Sequence, residues 1–464
     1  MGNDLQKKYG LFTAIAMVIG IVIGSGVFFK AETINIKTGG NLPIGILAWA
    51  IGGIIMLACI YMFSVMARKY EKVNGIVDYA EATVGKKYGY AIGWFLTIIY
   101  YPTLTSVLAW LSARYTLSIF GQTDPTTGLC LALSCLFLCI SYAVNALSPV
   151  FAGKFQVATT VIKLIPILIM AIVGTIAGIA NGNVVENFTS VVNSDITPLQ
   201  ALFTAVVATS FAYEGWIIAT CINAELKNAK KNLPIALIVG GIVIIAVYIL
   251  YFIGLSGAVP TQDLMDNGVN HAFTVVFGNV VGTMLVVFIA ISCMGTLNGL
   301  MLACVRGMYS VASRNMGPKP KIFKQIDPIT NMPTNSSILG LLLCGIWLFF
   351  FYGANLAPKN IFGVFGFDSS ELPIVTIYAL YIPIFFMFMI KGKEKGPFKG
   401  KIMPVISIIA SIAMIFAAVY AHGVTPYLAA AENGSFSCPI LSYLLVFAVI
   451  MIIGMLFAKE KKDN

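Results

Sequence analysis

Two apolar stretches of this chain are interrupted at their middles by small residues, and those interruptions limit what it can fold into more than any other feature. The first reads Ile19-Gly20-Ile21-Val22-Ile23-Gly24-Ser25-Gly26-Val27-Phe28, and the second Thr209-Ser210-Phe211-Ala212-Tyr213-Glu214-Gly215-Trp216. Glycine in a helix interior costs about 1 kcal/mol relative to alanine, so Gly-Ser-Gly at mid-stretch predicts a helix that opens there. Inside a bilayer, opened backbone is tolerated only where protein buries it or where it lines a water-filled cavity. Interrupted helices at corresponding places in two halves of a membrane protein point to a substrate site between the halves. The competing reading is that the glycines only let neighbouring helices pack closely.

The bilayer itself follows from composition. The 464 residues are 59% hydrophobic and only 10% charged, with a mean hydropathy of +0.90. Soluble domains carry roughly 25% charged residues, so this surface faces lipid. Apolar stretches long enough to cross fall at 11–36, 43–66, 90–118, 128–147, 155–180 and 199–222. They continue at 233–257, 277–305, 335–353, 362–390, 402–422 and 438–458. The pattern predicts an all-α protein of twelve transmembrane helices. The first stretch directly follows Lys7-Lys8 with no small-residue cleavage site at a workable distance, so no cleavable signal is read.

A net charge of +10 would fit a nucleic-acid partner in a soluble protein, but its distribution excludes one. With the N-terminus in the cytoplasm, Lys30, Lys37 and Lys359 fall outside, Arg114 lies near the outer end of its helix, and Lys163 lies within a span. Every other Lys and Arg of the 29 falls inside. The clusters include Arg68, Lys69, Lys72, Lys86 and Lys87; Lys154; Lys227, Lys230 and Lys231; and Arg306, Arg314, Lys319, Lys321 and Lys324. Lys391, Lys393, Lys395, Lys399 and Lys401 follow, then Lys459, Lys461 and Lys462. This positive-inside pattern predicts a multi-pass protein of the cell membrane with both termini cytoplasmic.

The nine cysteines lie nearly all within spans, with no CxxC pair, and the only histidines are His271 and His422. Neither sits in a ligand cluster, so no metal and no cofactor are expected. No nucleophile–His–acid arrangement or phosphate-cradling loop occurs, and the expectation is that the chain is not an enzyme. No soluble output domain is present either, which disfavours a sensor.

The two breaks are related by position. Each falls about 13 residues into its span, roughly 20 Å deep and near the midplane, one entering from each side of the membrane. They lie five spans apart, as an inverted five-helix repeat would produce. The expected transport core is 1–390, with halves of about 10–180 and 199–390. The remainder, 391–464, begins with the basic loop Lys391–Lys401 and holds two peripheral helices and a cytoplasmic tail.

These residues resemble the APC superfamily of amino-acid permeases, which has the LeuT-type inverted-repeat fold. Gly24-Ser25-Gly26-Val27-Phe28 is similar to that superfamily's first-helix motif. Phe211-Ala212-Tyr213-Glu214-Gly215-Trp216, followed by Asn223-Ala224-Glu225-Leu226-Lys227-Asn228 and Lys231-Asn232-Leu233-Pro234, is more specific. It resembles the sixth-helix signature of the L-type amino-acid transporters and their bacterial serine/threonine-exchanger relatives. Asn298-Gly299, Arg306 and Tyr309 match the eighth-helix pattern more loosely, and the resemblance runs from residue 10 to about 390. It departs at Glu214, where relatives usually carry Asp, Gly or a small polar residue, so side-chain selectivity does not carry over. The resemblance implies sodium-independent exchange of neutral L-amino acids by alternating access, with proton-coupled symport as the alternative.

A zwitterion needs an anion site and a cation site a few ångströms apart, and opened helices supply both. Amides at a half-helix N-terminus suit a carboxylate, here those around Ser25, Gly26 and Val27. Free carbonyls at half-helix C-termini suit an ammonium, which points to Val22 or Ile23 and to Phe211 and Ala212. By resemblance these are the family's α-carboxylate and α-amino contacts, and Phe211 is a mobile aromatic lid; otherwise Phe211 is a packing aromatic. Lys163, roughly 12 Å inside its span, either snorkels to the cytoplasmic surface or places its ammonium where sodium-coupled relatives hold sodium. Glu214 binds a cationic side chain, carries a coupling proton or bonds a neighbouring helix. Tyr100, Tyr101 and Thr103, with Leu300, are candidate pocket walls.

Eukaryotic L-type relatives join an accessory glycoprotein through a cysteine between helices 3 and 4. Phe120–Gly128 contains none, and Cys130 begins the fourth span, so no covalent accessory subunit is expected. The expected partners are an amino-acid substrate and the lipid bilayer, with no nucleic acid.

Overall fold

The computed structural model describes residues 10–70, 75–122, 124, 126–148, 155, 158–159, 161–219, 226–330, 332–391 and 396–459, and all regular elements among them are helices. Lys7, Lys8, Lys72, Lys154, Cys221, Asn223, Ala224, Glu225, Lys393, Lys395, Lys461 and Lys462 lie outside the described residues.

The first predicted span divides into α1 (Leu11–Val22) and α2 (Gly26–Lys37). Next come α3 (Leu42–Lys69), the short α4 (Ile76–Thr83), α5 (Lys86–Ile119) and α6 (Gly128–Leu147). The chain continues through α7 (Leu164–Ala180) and α8 (Asn183–Thr189), bent 85° from one another. The second broken span is α9 (Pro198–Ala212) and α10 (Trp216–Ala219). It is followed by α11 (Ala229–Ala258), α12 (Thr261–Ala312), α13 (Thr334–Leu356) and α14 (Leu372–Lys391). Two last helices, α15 (Phe398–Glu432) and α16 (Pro439–Leu456), complete the chain.

Among the described residues nine helices are long and apolar enough to cross a bilayer, and the α7–α8 pair passes the same test jointly. The interrupted spans are not in that number, because opening leaves α1 and α9 as shorter apolar helices. The arrangement is compatible with twelve spans. The tenth starts later than its apolar stretch. Asp368 Oδ1 accepts from Ser370 N–H at 2.7 Å, Ser370 Oγ at 2.6 Å and Glu371 N–H at 3.2 Å, which fixes a turn before α14. α12 bends at Gly268 and Gly278, so only its second part serves as the eighth span.

Lipid tails are as apolar as leucine, so helices here associate through close packing rather than hydrophobic burial. Where α7 crosses α11, a Cβ on Gly174 would lie 2.5 Å from Gly254 O, so the two backbones touch directly. The pairing that positions the site is reciprocal: α1 packs on α10 and α11, while α2 packs on α9 and α12. α5 lies against α12 at the centre, with 78% of its apolar window enclosed, against 11% for α16 at the edge.

Candidate functional site

The first break is a true opening of the helix. Ile23 leaves helical geometry with φ −68° and ψ 104°, and its N–H still closes on Ile19 O at 2.8 Å. The first backbone bond onto α2 runs from Phe29 N–H to Ser25 O at 3.1 Å. The amides of Gly26, Val27 and Phe28 therefore lack a helical acceptor one turn back. At the second break Tyr213 still bonds Thr209 O at 3.0 Å, after which Gly215 takes φ +105°, a conformation in which side chains are strained.

Gly26 is where the breaks meet. A Cβ added there would lie 2.8 Å from Ala212 Cα and 3.2 Å from Phe211 O. Tyr248, from α11, joins them from the other side: its hydroxyl lies 3.1 Å from Val22 O and 3.0 Å from Ala212 O. Each carbonyl keeps a second lone pair. Phe211 O receives a long bond from Glu214 N–H, at 3.4 Å, and also faces the Tyr213 N–H.

Beside this junction lies a cavity of about 200 Å³. Val22, Gly24, Ser25 and Gly26 line it from the first break, and Phe211, Glu214 and Gly215 from the second. Tyr100, Leu104 and Leu108 of α5 form one wall, and Thr296, Gly299, Leu300 and Leu302 of α12 another. Of the residues singled out in the sequence, Val22, Ser25, Gly26, Tyr100, Phe211, Glu214 and Leu300 line this cavity. Ile23, Val27 and Ala212 contribute backbone at the breaks while their side chains are buried in packing. Tyr101 and Thr103 do not line it, and the Thr103 hydroxyl donates to its own helix at Tyr100 O, 3.0 Å. A π-helical turn at Leu96–Tyr100 rotates α5 and turns Tyr100, Leu104 and Leu108 inward. Their spacing of four is the only trace of that face in the sequence.

Glu214 is buried beside the Tyr100 hydroxyl and the Gly215 N–H, and neither carboxylate oxygen makes a well-aligned hydrogen bond among the described residues. The hydroxyls of Tyr378 and Tyr381 lie near it as well, and none of the three tyrosines makes a well-aligned hydrogen bond among the described residues. Lys163, at the start of α7, is 1% exposed and donates its ammonium to Gly20 O in α1.

Above Phe211 sits an ionic cluster that links distant segments. Lys30 of α2 is 1% exposed, and its ammonium is 5.3 Å from the Phe211 ring centroid. It pairs with Glu371 Oε1 at 2.6 Å. Lys37 bonds both oxygens of the same carboxylate, at 3.1 and 3.0 Å, and His422 Nε2 lies 3.0 Å from Oε2. A second pair, Arg114 to Glu32 Oε1 at 3.0 Å, ties α2 to α5. Among the described residues no group of three His, Cys, Asp or Glu is placed to hold a metal ion.

Broken helices around a central cavity define a membrane transport protein, and comparison with known proteins gives the family. The chain belongs to the amino acid permease family, whose model matches residues 9–444. It is 28% identical to the serine/threonine exchanger SteT of Bacillus subtilis over 87% of each chain. It is 25% identical to the mouse b(0,+)-type amino acid transporter 1, over 92% of this chain and 85% of that one. The human cystine/glutamate transporter is 24% identical over 75% of this chain and 68% of its own. The fold matches the crystal structure of MhsT in complex with L-phenylalanine at a TM-score of 0.59 and 14% identity, covering 90% of this chain and all of that one. The protein is thus a multi-pass amino-acid transporter with a LeuT-type fold.

Proposed function

We propose that this chain exchanges neutral L-amino acids across the cell membrane by alternating access and independently of sodium. Both termini lie in the cytoplasm, and no covalently linked accessory subunit is needed. One observation carries the reading: the two helix breaks meet, with Gly26 against Ala212, on the rim of a single cavity. The substrate carboxylate binds the amides around Ser25, Gly26 and Val27, where the α2 dipole favours an anion. Its ammonium binds carbonyls ending α1 and α9, Val22 or Ile23 together with Phe211 and Ala212. Leu104, Leu108 and Leu300 supply an apolar wall that suits neutral side chains, and Phe211 is the lid. Lys163, with its ammonium on Gly20 O, supports a fixed cation in place of sodium. The moving core is 1–390, with halves of about 10–180 and 199–390, and 391–464 lies outside it.

Proton-coupled symport is a second reading, favoured by the buried carboxylate of Glu214 in the cavity. One assay separates the two. Purified protein in proteoliposomes preloaded with unlabelled amino acid should take up label several-fold faster than in empty vesicles, equally in sodium and in choline. Strong accumulation into empty vesicles driven by a pH gradient would overturn exchange in favour of symport. Absence of flux under every condition would reject transport itself.

A further inference from the structure

Helix α15 follows the ten spans of the expected core, yet it reaches the ionic cluster over the cavity. A π-helical turn at Tyr420–Val424 interrupts it, and in that turn His422 is buried. Its Nε2 lies 3.0 Å from Glu371 Oε2, and a carboxylate that already pairs with the Lys30 and Lys37 ammoniums can only accept, so the nitrogen is assigned as the donor. The other oxygen, Oε1, takes the ammonium of Lys30, which packs against Phe211. The cluster thus forms a relay from α15 through Glu371 and Lys30 to the aromatic roof of the cavity. The remaining charged groups around it are Lys37 on α2 and Asp368 in the turn before α14; α9 and α16 present only Gln200, Thr204 and Pro439 to the adjoining outer cavity of about 450 Å³. α15 also braces α9 itself, with Phe416 and Tyr420 rings 5.3 and 5.2 Å from Phe203.

We propose that His422 is a positioning residue for closure of the outer side. Its N–H fixes Glu371 in the orientation that pairs with Lys30 above Phe211, so α15 sets how readily the cavity opens outward. The proposal rests on the transport reading. Removing the hold favours the outward-open state, and a shift in that equilibrium changes apparent affinity in opposite directions at the two faces.

The test uses full-length protein, with half-saturation measured at the outer face in whole cells and at the inner face in inside-out vesicles. In His422→Leu the outer KM should fall about threefold and the inner KM should rise. In His422→Gln, whose amide N–H can still reach the carboxylate, both should stay within about twofold of wild type. His422→Asn, polar but too short, reads the same loss should the leucine variant fail to accumulate. A purely structural role would lower the maximal rate or the yield without splitting the two KM values. Unchanged values in both the leucine and the asparagine variants, movement in one direction at both faces, or failure of all three variants to accumulate would overturn the proposal. If the wild-type protein moves no amino acid, the transport reading fails instead.

Discussion

The two halves of the first broken span are held by different kinds of bond. α2 is clamped on two sides by ion pairs, Lys30 to Glu371 before α14 and Glu32 to Arg114 on α5. α1 is held at its break by donors to its carbonyls, the Lys163 ammonium on Gly20 O and the Tyr248 hydroxyl on Val22 O. Parting the buried Lys30–Glu371 pair exposes two charges that must be rehydrated or re-paired. Releasing α1 frees two carbonyls and one charge. α2 is therefore held by ion pairs to two other segments, and α1 by donors to its carbonyls alone. An ionic clamp on one side and a single-lysine tether on the other make an unequal pair of gates.

The comparison breaks most severely at the joint common to both halves. Gly26→Val should abolish counterflow in proteoliposomes, because its side chain would lie against Ala212 Cα and Phe211 O and force the breaks apart. Insertion into the membrane should persist, since the span stays apolar. Near-normal uptake would refute the junction as the substrate cradle. Next in size, Lys163→Ala should lower exchange about tenfold, equivalent to ~1.4 kcal/mol on a rate, by releasing α1. Full activity of that variant would show that the tether on Gly20 O does not govern α1.

The clamps on α2 sharpen the contrast on a smaller scale. Arg114→Gln removes a pair whose members are 21% and 17% exposed, and such pairs contribute little. Uptake at the outer face should change about threefold, in keeping with ~0.5–1 kcal/mol. An effect larger than that of Lys163→Ala would show that this part-exposed pair holds α2 more firmly than the buried lysine holds α1. Smallest of all, Thr103→Val should leave initial rates within about twofold, because the hydroxyl bonds its own helix and does not line the cavity. A large loss there would mean that α5 turns further inward during the cycle.

The breaks themselves were legible, because Gly-Ser-Gly and Glu-Gly at mid-span are expensive wherever a helix is meant to stay closed. So were the all-helical membrane fold and the family, which composition and motif spell out locally. What the sequence withheld is non-local or depends on register. Lys30 reads as an outer-loop charge, and only folding brings it to Glu371, 341 positions away. Tyr248 is one tyrosine among 20, with no neighbouring motif to mark it. The π-helical turn at Leu96–Tyr100 has no sequence signal, so a regular helical repeat does not reveal which of Tyr100 and Tyr101 faces the cavity. His422, in an apolar helix beyond the core, gained meaning only from the carboxylate that α15 meets.

The Tyr248 hydroxyl has a consequence that follows from counting hydrogens. It stands within bonding distance of two carbonyls, Val22 O and Ala212 O, and carries one proton. At any instant it can satisfy one helix end while leaving the other hungry for a donor. In the proposed site, an ammonium that took one carbonyl would let the phenol settle wholly on the other. The two interrupted helices are in this sense wired in parallel to a single shared hydrogen, and an empty site is never fully content.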